Sequence, residues 1–208
     1  MPRARRASPL PPDARRDAIV EAVAPLLIAR GAAVTTREMA EAAGVAEGTL
    51  FSVFEDKRAL VLAAIRHRLD PRPTRAAIAT AEAPGDLTAT LNAVADGLLP
   101  RLDDVRALAA VLHGLPPAPR REGRLGVTTL EAWHAAVHDG IAALLAPHEA
   151  RLRLPAERAA AVFAALLLAS RPLYGPPRPT LATPELVDVF LHGAVADRAV
   201  ADRPIGAP

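Results

Sequence analysis

Between Thr35 and Leu60 the chain reads TTREMAEAAGVAEGTLFSVFEDKRAL, and the side chains there that can do chemistry are hydroxyls and charges. Thr35, Thr36, Thr49 and Ser52 can offer hydroxyls to phosphates or base edges, and Phe51 offers an apolar surface that suits a thymine methyl. Arg37 and Lys57 can meet phosphates, Gly48 lets a backbone come close to bases, and Glu47 adds a negative charge among them. The chain has no Cys, which excludes thiol catalysis, Cys-ligated metals and disulfides and agrees with a reducing cytoplasm. Neither a Gly-rich phosphate loop, nor a nucleophile elbow, nor a persuasive acid/base pair stands in the sequence, so an enzyme is not expected.

The spacing of the same stretch says which elements hold those groups. Thr35 can cap a short helix with Glu38 reaching back to its amide, and Met39, Ala40 and Ala43 then face inward. Gly44 can take the left-handed conformation that ends a helix within one residue, and Val45 plugs the corner. A second short helix starts near Ala46 or Glu47. Leu50 and Phe54, four apart, lie on its buried side, which leaves Gly48, Thr49, Phe51 and Ser52 outward. That is a helix-turn-helix, a corner small enough for its second helix to enter a major groove. Asp56 can cap the helix that follows, with Lys57 in its first turn, where the exposed amides and the ammonium can both meet a phosphate.

The whole pattern resembles the DNA-binding domain of the TetR family, the tetracycline-repressor-like transcriptional regulators. Thr35, Met39-Ala40, Ala43-Gly44-Val45, Gly48-Thr49-Leu50-Phe51, Phe54, Lys57 and Leu60 carry the resemblance, which covers about residues 13–65. The departures are Ala46 for the usual Ser, Phe51 for Tyr, Val53 for His or Tyr, and Glu47 where a basic residue is common. Each removes a phosphate contact or adds repulsion, which implies modest affinity and more reliance on arginines elsewhere. Arg3, Arg5 and Arg6 in the basic, Pro-rich start can enter a minor groove or track phosphates, or else only keep the chain soluble.

Around this motif the chain reads as all-α. Apolar residues recur at helical spacing over about 13–30 (with Pro25 inside), 60–69, 87–98, 102–112, 130–144, 156–167 and 184–194. Pro71 and Pro100 read as stops, Thr128 and Glu131 as a capping box, and Pro155 as a first-turn proline. The expected organisation is a disordered basic arm over 1–12, a helix-turn-helix domain over 13–58, a helical effector-binding and dimerisation domain over 59–201, and a disordered tail over 202–208. A second arginine cluster, Arg66, Arg68, Arg72 and Arg75, falls near the domain boundary. No apolar run is long enough for a membrane span, and the basic start is Pro-rich where a secretory signal would need an apolar stretch, so none is expected.

The larger domain carries weaker signals. A pocket between helices for an apolar effector can draw on Leu98, Leu112, His113, Trp133, His134 and Val137. His134 and His138 have the spacing of a helical metal pair, but without a zincin Glu they are read as surface or core-edge histidines, and no metal or cofactor is expected. The last two helices are apolar on more than one side through Phe163, Leu166, Leu167, Leu186, Val189 and Phe190, with Gly193 allowing close approach. Pairing with a second copy accounts for that, and two-fold symmetry then sets two recognition helices on a near-palindromic operator. The resemblance thus implies a ligand-responsive, homodimeric, cytoplasmic regulator of transcription, more often a repressor, bound to double-stranded DNA and released by a small molecule. The other reading is a helical interaction module whose helix-turn-helix has drifted out of DNA use.

Overall fold

The structure is a computed structural model and describes residues 11–116, 127–172 and 180–193. The arginines of the arm (Arg3, Arg5, Arg6), the tail over 202–208 and Ala194 lie outside the described residues. All regular structure among the described residues is helical: α1 (Pro12–Arg30), α2 (Thr36–Ala42), α3 (Glu47–Val53), α4 (Lys57–Arg68), α5 (Pro71–Ala79), α6 (Leu87–His113), α7 (Val127–Leu145), α8 (Ala156–Ser170) and α9 (Thr183–His192). Short 3-10 turns at Gly31–Ala33 and Ala146–Arg151 follow α1 and α7. The chain packs as two compact units, residues to His67 with the segment from Ala107, and Arg68–Arg106 with the segment from Leu125.

In the first unit α1 packs on α2 and α3, with Ile19, Val20, Val23 and Leu27 buried along with Met39 and Ala40 of α2 and Leu50 of α3, and Leu60, Val61 and Ile65 of α4 are buried as well. Gly31, at a φ of 67°, ends α1 as expected, and its N–H reaches the Leu27 carbonyl. Pro25 does not break α1. It sits on the exposed side, where the carbonyl of Glu21 that it cannot serve is open to water. Leu108 and Val111, near the end of α6, are buried in this unit as well.

The second unit is built on α5 against α7 and α7 against α8, with α9 packed on α8. Ile78, Trp133, Val137, Ile141, Phe163, Leu167 and Leu186 form its interior with Leu91, Val94, Leu98, Leu102 and Val105 of α6. Phe163 meets Phe190 with ring centroids 4.9 Å apart. The indole N–H of Trp133 donates to the Thr74 hydroxyl at 3.1 Å, and that hydroxyl donates on to the Asp70 carbonyl at 2.9 Å, so this buried pair is satisfied.

Several local expectations are corrected here. Pro71 does not only stop α4: it opens α5 at the first turn, where Asp70 caps the Arg72 amide at 2.8 Å. Pro100 lies exposed inside a single continuous α6. Its missing N–H faces solvent, while Leu98, Leu99 and Leu102 hold the opposite side in the core. Thr128 is already inside α7 and Pro155 precedes α8 as its cap residue.

Candidate nucleic-acid interface

The corner between α2 and α3 is closed by the backbone. The Val45 amide donates to the Ala40 carbonyl at 3.0 Å and the Gly44 amide to Glu41 at 3.1 Å, with Gly44 at a φ of 64°. This pair of bonds around a left-handed glycine is a Schellman stop, and it turns the chain within one residue. At the other end of α2 the Thr35 hydroxyl accepts from the Glu38 amide, and the Glu38 carboxylate accepts from the Thr35 amide at 2.8 Å. Those bonds, with the Arg30 guanidinium 2.7 Å away, hold the Glu38 carboxyl down at about 2. α3 has no such cap. Ala46 supplies no side-chain oxygen, as the sequence implied.

α3 is held by Leu50 and Phe54, each 2% exposed, and its other side is bare. Glu47, Gly48, Phe51 and Ser52 are exposed and Thr49 is half-buried. Phe51 keeps 46% of its surface in solvent, an unusual position for an aromatic ring without a partner. The side chains expected outward on α3 are thus exposed, Thr49 only in part.

Several of the polar groups already have intramolecular partners. The Ser52 hydroxyl donates to the Thr49 carbonyl at 2.7 Å. Arg37 pairs with Glu41 at 2.9 Å, and that carboxylate, helped by Glu47, raises the guanidinium above its ordinary value. Lys57 folds back onto the turn after α1, donating to the carbonyls of Ala32, at 2.7 Å, and Val34. Burial lowers its ammonium, with Glu38 opposing. Thr36 is half-buried at the start of α2, and Asp56 caps α4 through the Ala59 amide at 2.6 Å. Two arginines of the second cluster are paired within the second unit: Arg68 with Asp104 at 3.1 Å and Arg72 with Asp70 at 2.6 Å.

Two positioning residues escaped the sequence reading. Arg16 of α1 donates from Nη1 to the Val53 carbonyl at 2.9 Å and covers the Phe54 ring, which fixes the end of α3. A signal was present, since Arg16 continues the stripe of Val20, Val23 and Leu27 one turn earlier. Arg58 of α4 donates to the Leu112 carbonyl at 3.2 Å, joining α4 to the end of α6 across a sequence separation of 54. No local spacing announces that bond.

The expected effector and interface residues fall as follows. Leu98, Trp133 and Val137 are buried in the second unit with His134 exposed beside Trp133, whereas Leu112, half-buried, and His113, exposed, belong to the first. His138 lies between the Asp139 carboxylate and the Glu157 carbonyl, both at 3.1 Å. The hydrogen bond that the ring donates to Asp139 raises its pKa. Among the described residues no group of three or more such side chains is placed to hold a metal ion. Phe163, Leu167 and Leu186 are consumed in the core, while Leu166, Val189 and Phe190 stay half-buried and Gly193 exposed. No helix of the described residues is long and apolar enough to cross a membrane.

Residues 19–64 match the model of the bacterial regulatory proteins of the tetR family. No curated protein sequence matches the chain. Among solved structures, the TetR-like transcriptional regulator LfrR from Mycobacterium smegmatis, in complex with proflavine, shares 20% identity at a TM-score of 0.56, over 88% of this chain and 98% of that one. A tetR-family transcriptional regulator from Streptomyces coelicolor shares 21% at 0.56, over 86% and 78%. The regulator PfmR from Thermus thermophilus shares 18% at 0.51, over 85% and 98%. Residues 19–64 thus match the regulatory domain of the tetR family, and the chain shares the all-helical fold of TetR-like transcriptional regulators.

Proposed function

We propose that the protein is a cytoplasmic, ligand-responsive repressor that binds a near-palindromic operator as a homodimer and leaves it when a small molecule binds the second unit. The observation that carries the reading is the bare face of α3, with Gly48, Phe51 and Ser52 exposed opposite the buried Leu50 and Phe54. Thr35, Thr36, Arg37, Glu47, Thr49 and Lys57 border that face and, with Arg3, Arg5 and Arg6 of the arm, make up the proposed DNA-contacting set.

Dimerisation is supported by an apolar stripe left partly uncovered on the last two helices. Val162 is 44% exposed on α8 beside half-buried Leu166, and Val189 and Phe190 of α9 are half-buried too. Response to a ligand is supported by the fold shared with a regulator solved with proflavine. Leu98, Trp133 and Val137, buried in the second unit, are the apolar residues proposed to meet an apolar effector. Such an effector acts only through its unequal affinity for the DNA-competent and DNA-incompetent states.

The test is a selection of duplexes from a randomised library by the full chain, followed by affinity measurements across salt and sedimentation of the complex. A regulator of this kind gives two half-sites about one DNA turn or somewhat more apart, a steep loss of affinity with salt, and two chains per duplex. Failure to enrich any duplex at low salt rejects the operator. One chain per duplex rejects the dimer.

A further inference from the structure

We propose that Phe51 and Glu47 together set the base sequence of the half-site, Phe51 by packing on the 5-methyl group of a thymine and Glu47 by accepting from the N4 amino group of a cytosine. The proposal rests on the reading that α3 enters a major groove, and it names what the helix recognises there.

Elimination narrows the candidates. On the outward side of α3 the Ser52 hydroxyl already donates to Thr49, and Thr49 itself is half-buried. Gly48 has no side chain, and a Cβ built there would meet nothing within 4 Å, so it leaves the groove floor open to its neighbours. The nearby cations are engaged, Arg37 with Glu41 and Lys57 with two backbone carbonyls. Phe51 and Glu47 remain as the longest exposed side chains of α3.

Their chemistry then selects the bases. A ring that keeps 46% of its surface in water gains by covering an apolar group, and the apolar group that a major groove displays is the thymine methyl. An ionised carboxylate can only accept. The groove offers amino donors on cytosine N4 and adenine N6, but adenine sets the lone pair of N7 beside its amino group, which repels a carboxylate. Cytosine presents no acceptor on its own edge there. The same logic explains why an acidic residue can be tolerated near phosphates: its charge is matched to a donor at the groove floor. Glu47 and Phe51 are four apart on one helix, about 5–6 Å between side-chain origins, against roughly 3.4 Å per base step. Their targets therefore lie one or two steps apart in each half-site.

The test uses the full chain and duplexes selected from a randomised library. Selected half-sites are expected to hold a thymine and a cytosine one or two steps apart. Replacing that thymine by deoxyuridine removes only the methyl and is expected to weaken binding about 4-fold per base. Phe51→Ala, checked for native helicity by circular dichroism, is expected to bind the two duplexes equally. Glu47→Gln is expected to move the preference at the second position from cytosine to adenine, because an amide can satisfy N6 and N7 together. Equal binding of thymine and deoxyuridine duplexes by the unaltered protein overturns the Phe51 half. A Glu47→Gln variant that still selects cytosine overturns the other half. Both results leave DNA binding itself standing, whereas no enrichment of any duplex rejects the operator reading and this inference with it.

Discussion

The Arg16 guanidinium lies 4.3 Å from the centroid of the Phe54 ring while its Nη1 donates to the Val53 carbonyl at 2.9 Å. One α1 side chain thus covers the aromatic anchor of α3 and satisfies a carbonyl at the end of that helix. Removing it in Arg16→Ala gives up a cation–π contact and a charge-assisted hydrogen bond, together about 2 kcal/mol. For a chain of this size the midpoint of thermal unfolding is expected to fall by roughly 4–8 °C. Arg16→Lys keeps the charge but not the planar fork, and is expected to fall between the two.

Gly48 separates folding from DNA binding. Its φ is not left-handed and a Cβ meets open space, so Gly48→Ala is accepted by the fold and stabilises α3 by at most about 1 kcal/mol. The added methyl points to the side where bases approach. Thermal unfolding at or above the parent midpoint, with at least a roughly 10-fold loss of operator affinity (about 1.4 kcal/mol), is the expected combination.

Lys57 donates to the Ala32 and Val34 carbonyls, so its charge ties the turn after α1 to the start of α4. Lys57→Met keeps the aliphatic stem and removes the donor, for an expected loss of about 1.5–3 kcal/mol in unfolding free energy. As Lys57 belongs to the proposed DNA-contacting set, the slope of log affinity against log salt is expected to become shallower by about one unit. A slope equal to the parent's would instead assign Lys57 to the fold alone.

Gly140 of α7 faces Ile78 of α5, where an added Cβ would sit 3.0 Å from Cγ2 and 3.1 Å from Cδ1. Ile78 is 1% exposed, so its side chain can give way only by pushing on other core atoms. Overpacking therefore outweighs the gain in helix propensity, and Gly140→Ala is expected to lower stability by about 1 kcal/mol in denaturant titrations.

Glu38 makes the first unit sensitive to acid. Hydrogen bonds from Thr35 and the Arg30 guanidinium lower its carboxyl from an ordinary 4.5 to about 2. Between those values the unfolded chain binds more protons than the folded one, so stability rises with pH through that window. The contribution is complete above the ordinary carboxylate range and is lost as pH falls toward about 2. In Glu38→Gln, melting temperatures measured across this window are expected to vary less with pH than in the parent.

The legible part of the fold was the part set by neighbours three and four residues apart. The Thr35–Glu38 box, the Gly44 stop, the Leu50–Phe54 anchor and the Asp56 cap all lie where spacing put them. Prolines were harder, because a proline is tolerated or not according to which side of its helix meets water. Pro25 and Pro100 are exposed inside continuous helices, and Pro71 begins one. The apolar faces of α8 and α9 were legible as apolar, but not which residues the chain itself would cover: Phe163 and Leu186 went to the core and Val162 to the surface.

By itself the sequence determined an all-helical chain with a capped, glycine-stopped helix pair and a bare second helix, since each of those features is closed within a few residues. Tertiary structure alone decided where the long cationic side chains end. Arg16 finds its carbonyl 37 positions away, Lys57 finds its two at 25 and 23, and Arg58 at 54. A flexible side chain with a delocalised or rotating charge carries no local preference for any of these acceptors; packing of the helices brings the carbonyls within reach, and only then do these side chains become clasps between helices.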